Sequence, residues 1–329
     1  MISVATRLGF ITVALTIAYG CGGSQQFAQT GSPPVQEDIV STPLPGGAVW
    51  HRASAPFTHN LSGQRLLYIG DDDVGAVNVY PLTGPNQKQI GSITMGVKGP
   101  WGLSVDRNNA LYVANSGNGT VTVYPYGSSA ASMTYSKGVH RPLYALADST
   151  GHVFVSGFES GDHHRGHVVE YNAGTNVPIA NALLGGEVDG IALDSQGNLY
   201  AAYRHKGSNN ASIAEFGPGL SNKRNLGMTI NQPQGLLVDN AGNIVVVESA
   251  ADTIEVFPPG ATTPSVTLVF STARGQNLAQ LAMQDSETTL WVSSEAGNVY
   301  SMPYPLTPST VPTEYEQNGA GGNGIAVTR

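Results

Sequence analysis

The sequence predicts an all-β fold, a six-bladed β-propeller with four-stranded blades that closes when the C-terminal strand pairs into blade 1. The first observation is a phrase of two short apolar segments around a turn, recurring at spacings of 42 to 46 residues. Four strands per unit of about 45 residues is typical of propeller blades. The second is that the phrase occurs six times. The third is that the last copy holds only the opening of the phrase, which the first copy lacks.

The first element of each repeat is an apolar segment that begins with glycine in most copies and precedes an aspartate in four. It is clearest at residues 190–194, Gly-Ile-Ala-Leu-Asp, where a turn leads into the second element at residues 199–202. The six openings are residues 102–106, 144–148, 190–194, 235–239, 280–283 and 324–327.

The second and third elements are short segments rich in β-branched and aromatic residues and bounded by turn residues, which predicts strands. The second elements are residues 66–69, 111–114, 153–156, 199–202, 244–247 and 290–293. The third elements are residues 77–80, 121–124, 168–171, 213–216, 254–257 and 299–302. A weaker fourth strand follows, for example at residues 133–135 and 265–270.

The connections support the same assignment. The turn between the first two strands has the form Asp-Ser-x-Gly-Asn, in which glycine and asparagine supply positive φ angles. Proline follows the third strand at Pro81, Pro125 and Pro258, where it cannot continue the ladder. The continuous apolar segments suit sheets that neighbouring blades cover on both faces.

The two incomplete repeats predict how the ring closes. Residues 324–327 are expected to supply the innermost strand of the blade whose other strands come from residues 65–98. Such closure leaves no unpaired inner edge. The alternative is a seventh blade that uses residues 50–58 as an additional strand.

Composition limits the classes of partner. Charged residues make up 12% of the 329 residues, and 41 glycines with 20 prolines fit a turn-rich β protein. The formal net charge of −8 argues against nucleic acid, because that binding depends on lysine and arginine at phosphates. We expect a monomer.

The N-terminal region predicts export. Residues 1–20 combine Arg7 with an apolar stretch at residues 8–17 that is too short to span a bilayer. The only cysteine, Cys21, follows, and residues 18–21 resemble the bacterial lipobox. The resemblance implies a lipoprotein of the bacterial cell envelope, anchored by lipid on Cys21, in the outer membrane if the cell is Gram-negative. The alternative is an ordinary cleaved signal peptide.

Three regions follow from this prediction: a signal peptide at residues 1–20, a lipid-anchored tether at residues 21–50, and the propeller at residues 51–329. The tether is rich in Ser, Gln, Pro and Gly, which is typical of disordered linkers. Its expected reach is about 25–30 Å.

The strand directions place two sets of loops on one face of the propeller, here called the top face. These loops enter the first strand of a blade or join its second and third strands. We predict that this polar and acidic face binds a ligand or partner through Trp101, Gln234, Asn277, Asp72, Asn115, Glu159 and His205. Oxygen ligands for Ca²⁺ or Mg²⁺ are available at Asp189, Asn323, Glu248 and Glu295. The alternative is an ordinary solvated rim.

Two further features allow two interpretations each. Trp101 stands where other blades have polar residues, and it either stacks on a ligand such as a sugar or packs against the neighbouring blade. Residues 162–167 are predicted to form a loop that carries His163, His164 and His167. These imidazoles either bind Zn²⁺ or Cu²⁺ or belong to a solvated loop.

The repeats resemble the NHL and YVTN families of propellers over residues 65–329. The motifs that carry the resemblance are residues 111–117 with 121–124, and residues 190–194 with 199–200. The resemblance implies a propeller fold, whereas the activity of such proteins lies in their loops.

Two enzyme groups with similar repeats bind metals. In the gluconolactonase and regucalcin group an aspartate directly before the glycine of a first-strand phrase binds the metal, and Asp189 matches that position. The asparagine that this group has in the preceding blade falls on Leu143, and its glutamate falls on Asn323. The virginiamycin B lyase family uses a histidine and a glutamate beside magnesium, and His205 and Glu248 stand in adjacent blades.

Two functional hypotheses result. The first is a non-catalytic lipoprotein whose propeller binds a ligand or partner through its top face. The second is a metal-dependent lactonase or lyase at the channel mouth. We prefer the first, because an enzyme of the second kind gathers several ligands and a base at one point, and here the candidates are scattered over six blades.

Overall fold

The structure is a computed structural model. It describes residues 61, 63–82, 88–159, 162–205, 207–208, 210–270, 277–317 and 323–329, without the side chains of residues 159, 162–164, 316 and 317. The predicted signal peptide, Cys21, the tether and the possible strand at residues 50–58 lie outside these residues. In the described part of the chain, no helix has the length and apolar character needed to cross a membrane.

The described strands form six antiparallel sheets. Blade 1 contains β1 (Leu66–Asp71), β2 (Ala76–Pro81) and β3 (Gly91–Ile93). Blade 2 contains β4 (Pro100–Val105), β5 (Leu111–Asn115), β6 (Thr120–Tyr124) and β7 (Met133–Tyr135). Blade 3 contains β8 (Arg141–Ala147), β9 (Val153–Glu159), β10 (Asp162–Tyr171) and β11 (Pro178–Leu184).

Blade 4 contains β12 (Val188–Leu193), β13 (Leu199–Arg204), β14 (Asn210–Gly217), β15 (Ser221–Asn225) and a short additional strand β16 (Ile230–Asn231). Blade 5 contains β17 (Pro233–Val238), β18 (Ile244–Glu248), β19 (Thr253–Phe257) and β20 (Val266–Val269). Blade 6 contains β21 (Leu278–Met283), β22 (Thr289–Ser294), β23 (Asn298–Pro303) and β24 (Thr313–Gln317). The final strand, β25 (Ile325–Val327), belongs to blade 1.

The predicted six-bladed propeller is confirmed, including its closure. β25 pairs antiparallel with β1, so that Ile325 lies opposite Ile69 and Val327 opposite Leu67. Thr328 extends the junction, because its Oγ1 accepts a hydrogen bond from the amide of Leu66 at 2.8 Å. The two ends of the described chain are therefore held in one sheet.

The core consists of six apolar clusters, one between each pair of adjacent blades. Successive residues of one strand serve different clusters: Leu66 packs toward blade 2, whereas Leu67 packs toward blade 6. Both side chains are fully buried. This is why the strands have continuous apolar sequences rather than alternating ones.

The aspartate that ends the first strand holds the following turn in four blades. In blade 4 a single carboxylate oxygen of Asp194 accepts hydrogen bonds from the amides of Gln196 and Asn198, both at 2.9 Å. Asp106, Asp148 and Asp239 make the same pair of contacts two and four residues ahead. In the turn of blade 4, Gly197 has a φ of 82°, which explains its glycine.

The prediction of a loop at residues 162–167 is wrong. This segment is the first part of β10, in which Asp162 pairs with Glu159 and, after an irregular register, Gly166 pairs with Phe158. Pairing at Asp162 and from Gly166 onward makes the segment part of the strand, although its side chains show no alternating pattern. His167 is consequently buried in the sheet, 1% exposed, instead of lying in a solvated loop.

Candidate functional site

The inner strands of the propeller approach each other closely at the glycines of the repeated phrase. A Cβ added to Gly102 would lie 2.2 Å from the carbonyl oxygen of Leu143 in blade 3, and one on Gly235 would lie 2.7 Å from that of Ala279 in blade 6. No real side chain fits at such distances. These glycines therefore set the spacing of the strands around the axis.

Two blades have a large side chain where the others have glycine, namely Tyr144 in blade 3 and Gln280 in blade 6. Gln280 is buried and crosses to blade 2, where its Nε2 donates to the carbonyl of Trp101 at 3.2 Å. Its Oε1 accepts from the amide of Leu103 at 3.3 Å. Burial raises the pKa of Tyr144 to about 12. Gln280 therefore joins the first strands of blades 6 and 2 by two hydrogen bonds.

A β-bulge lies just before or at the position of the phrase glycine in the first strands of five blades, including blades 3 and 6, which have Tyr144 and Gln280 there. The register shifts between Pro100 and Gly102 in blade 2 and between Val188 and Gly190 in blade 4, and similar shifts occur in blades 3, 5 and 6. A bulge re-aims the side chain that it contains. Trp101 and Asp189 are therefore the re-aimed residues of blades 2 and 4.

Arg204 organises the top face of blade 4. Its Nε donates to Asp189 at 2.9 Å and its Nη2 donates to the second oxygen of that carboxylate at 3.2 Å. Nη2 also contacts the carboxylate of Glu187. Asp189 is 1% exposed, and burial raises the pKa of its carboxyl, which the bidentate guanidinium opposes.

A second set of contacts joins blades 5 and 6 on the same face. The amide of Gln234 donates to Glu295 at 3.3 Å, and the side chain of Asn277 also hydrogen-bonds to that carboxylate. Burial raises the pKa of Glu295, whereas the Asn277 hydrogen bond and the charge of Arg204 lower it. Arg204 thus links electrostatically with blade 6. We call Glu187, Asp189, Arg204, Gln234, Asn277 and Glu295 the top-face network.

Other predicted site residues have contacts of their own. Glu248 accepts a hydrogen bond from the amide of Asn231 at 2.6 Å. Asn323 is buried, and the Oδ1 of its side chain has no hydrogen-bond partner. The Nε2 of His205 lies 3.0 Å from the hydroxyl of Ser212.

Asn115 is fully buried inside blade 2, where it binds Thr122 and the amide of Lys98. Asp72 is exposed and the Trp101 side chain is half-buried. Glu159 ends β9.

The structure therefore gathers Asp189, Gln234, Asn277 and Glu295 into one network, while Asn115 supports the fold. Within the described residues, no three Asp, Glu, His or Cys side chains are arranged to hold a metal ion.

The opposite face contains a cavity of about 1100 Å³, here called the lower funnel. It lies along the axis and extends between blades 3 and 4, and the Asp-containing turns surround it. The first strands of the blades line the cavity with the residues nearest the bottom face, beginning at Leu103, Tyr144, Leu236, Leu281 and Ile325. The turns that follow the first strands surround its mouth, so the funnel opens toward the bottom face.

One carboxylate in the funnel wall is deeply buried beside a histidine. Glu170 is 2% exposed, and its Oε1 lies 3.0 Å from Nδ1 of His152. Its Oε2 is buried with no hydrogen-bond partner. Neither this pair nor the funnel was predicted from the sequence, because both depend on how blades 3 and 4 pack.

Comparison with known proteins supports the fold. Residues 98–124 match the model of the NHL repeat, from the loop before β4 to the end of β6. No curated protein matches the sequence. The chain is thus a six-bladed β-propeller with an NHL repeat in blade 2, as the resemblance implied.

Solved structures show the same architecture. A chain from the crystal structure of a nidogen/laminin complex has a TM-score of 0.62 and 15% identity, over 80% of this chain and 98% of that one. Kuenenia stuttgartiensis hydrazine synthase has a TM-score of 0.54 and 16% identity, over 79% of this chain and 80% of that one.

Proposed function

We propose that this protein is a non-catalytic binding module of the bacterial cell envelope that engages a protein or small-molecule partner through its top face. The observation that carries the proposal is the top-face network. Its charged groups from blades 4 and 6 are held by partners within the propeller. A preorganised polar surface of this kind favours specific binding, because little side-chain entropy is lost when the partner docks.

The same contacts favour binding over metal-dependent chemistry at Asp189. Both oxygens of this carboxylate face the guanidinium of Arg204. A metal ion at Asp189 would have to displace this guanidinium, which also contacts Glu187. The carboxylate therefore already has a cationic partner from the chain itself.

The structural relatives are compatible with this proposal, but they do not distinguish it from an enzymatic function. A similar propeller occurs in a nidogen/laminin complex, which is consistent with a macromolecular partner. A similar shape also occurs in a hydrazine synthase. Since one fold supports many functions, the top-face network and not the fold carries the argument.

Photo-crosslinking in living cells tests the face. A crosslinking amino acid replaces Asp72, which is exposed on the top face, or Ser309, which is exposed in the β23–β24 loop on the bottom face. We expect a discrete crosslinked product from position 72 only. Glu295→Gln should reduce it at least tenfold, whereas Glu314→Gln, on the outer strand of blade 6, should not. Equal products from both positions would exclude the top face.

The metal-dependent alternative has its own test. Thermal unfolding is measured with and without Ca²⁺ or Mg²⁺, in the unmodified protein and in Asp189→Asn. We expect no metal-dependent rise in Tm. A rise that Asp189→Asn abolishes would instead favour the lactonase or lyase hypothesis.

Membrane anchoring through Cys21 is part of the proposal and rests on the sequence of residues 1–21. Membrane fractionation of Cys21→Ser checks it in a bacterial host fed with labelled palmitate. We expect the unmodified chain to carry label and to sediment with membranes, and the variant to do neither. An unlabelled native chain would contradict the lipid anchor.

A further inference from the structure

We propose that the lower funnel is a second binding site, separate from the top face, and that it takes a small aliphatic amine whose ammonium group contacts Glu170. Four observations support it: an unpartnered buried carboxylate oxygen, the placement of Glu170 in the cleft between two blades, the charge of the funnel wall, and the size of the cavity.

The carboxylate of Glu170 is incompletely satisfied. His152 engages Oε1 at 3.0 Å, but Oε2 has less than 1 Å² of exposed surface and no hydrogen-bond partner. Burying a polar oxygen without a hydrogen-bond partner is unfavourable. An ammonium group supplies both the positive charge and the N–H donors that this oxygen lacks.

The position of Glu170 places it in the arm of the funnel between blades 3 and 4. On β10 it lies directly opposite Phe154 of β9 and Ala180 of β11. Directly opposed residues of antiparallel strands share one face, with Cβ atoms about 5 Å apart. All three residues line the funnel. Phe154 and the neighbouring Ile179 give an aliphatic chain an apolar wall beside the carboxylate.

The funnel wall is predominantly negative. Two arginines, Arg107 and Arg329, face a larger set of carboxylates, Asp148, Glu170, Asp194, Asp239, Asp285 and Glu287. Asp194 and Asp239 accept hydrogen bonds from turn amides, and Arg329 is paired with Asp285. A cleft lined by one sign of charge concentrates ions of the other sign.

The size and ligand set favour an organic cation over a metal. A volume of about 1100 Å³ is close to the upper end of small-molecule sites, about 300–1,000 Å³. The described Asp, Glu, His and Cys side chains form no group of three suited to a metal ion. A single carboxylate with one free oxygen beside apolar side chains matches the head and chain of an alkyl amine.

Calorimetry with three probes of equal length tests the proposal. The probes are 1,5-diaminopentane, 1,5-pentanediol and glutarate, each titrated into the full propeller. We expect saturable binding of the diamine that weakens with added salt, and no binding of the neutral or anionic probe. Absence of diamine binding at millimolar concentration, or equal binding of the diol, would overturn the proposal.

Two variants locate the site. Glu170→Gln should weaken diamine binding at least tenfold and leave the Tm of the free protein unchanged or higher, whereas Glu314→Gln should bind as the unmodified protein does. Undiminished binding by a folded Glu170→Gln would refute the assignment.

A tethered cation gives a test that does not depend on removing Glu170. Ala180→Lys places an ammonium group opposite Glu170, so it should raise the Tm and abolish diamine binding. Ala180→Met adds an uncharged side chain of similar bulk. It should raise the Tm less than Ala180→Lys does, and it should not abolish diamine binding. Diamine binding that persists in Ala180→Lys would place the site elsewhere. Crosslinking at position 72 should be unaffected, so the two proposals fail independently.

Discussion

At the scale of single residues, Arg204 has the largest electrostatic role on the top face. Its guanidinium contacts Asp189 and Glu187, and its charge reaches Glu295 in blade 6. Burial lowers the pKa of Arg204, whereas the charge of Glu295 raises it. Because Asp189 is almost fully buried, the pair depends on Arg204 to compensate the desolvated carboxylate.

We expect Arg204→Met to destabilise the protein by about 3 kcal/mol, because it leaves the Asp189 carboxylate buried without its partner. The double variant with Asp189→Asn should recover much of that loss. Urea unfolding at pH 7 measures both. Arg224→Met is the control, since Arg224 pairs with Glu215 while 68% of its side chain is exposed, and such pairs contribute about 0–1 kcal/mol. Equal losses at both arginines would show that the buried pair is unimportant.

At the scale of elements, the glycines of the first strands determine how closely neighbouring blades approach. Gly102 packs against Leu143 of blade 3, and Gly324 packs against Leu103 of blade 2. Where glycine is replaced, Gln280 bonds to blade 2 and Tyr144 lines the lower funnel. The glycines and their two exceptions therefore shape the contacts between the first strands.

We expect Gly102→Ala to destabilise the protein by about 1–3 kcal/mol, because the new Cβ would lie 2.2 Å from a backbone oxygen and overpacking forces the backbone to shift. Gly185→Ala is the matched control: no atom lies within 4 Å of a Cβ there. Its stability should not fall. Thermal and urea unfolding check the pair, and a Gly102→Ala protein as stable as Gly185→Ala would contradict tight packing at the axis.

The sequence predicted elements better than contacts. All six sets of strands and the positions of the Asp-containing turns follow from local patterns of apolar and turn residues. The segment at residues 162–167 was predicted to be a loop because its side chains do not alternate between apolar and polar. It is part of a strand because Asp162 and Gly166 pair with β9. The bulges at Trp101 and Asp189 were not predictable either, since a register shift arises from the pairing of two strands.

At the scale of the whole molecule, the ring depends on β25. Without it β1 would present an unpaired inner edge, and the clusters on both sides of blade 1 would lose Ile325, Ala326 and Val327. The junction is reinforced outside the strand, where Arg329 donates its amide to Asn109 of blade 2.

We expect Ile325→Asp to destabilise the propeller by about 4 kcal/mol, because it places an unpaired charge in a fully buried strand at the closure. Val311→Asp makes a comparable change at a side chain that is 76% exposed, and it should alter stability by about 0.5 kcal/mol or less. Urea unfolding and limited proteolysis compare the two. Similar stabilities would mean that closure by β25 contributes little.

The sequence by itself determined the number of blades, their strands and the closure of the ring, because these depend on local periodicity and on one phrase divided between the chain ends. Only the tertiary structure decided which polar side chains meet. The contact of Gln234 with Glu295, the crossing of Gln280 to blade 2 and the burial of Glu170 beside His152 depend on strand register and on the distance between blades. Those quantities are set by packing of the whole ring, so the repeat that predicts the fold and the top face leaves the contacts within that face and the entire lower funnel unspecified.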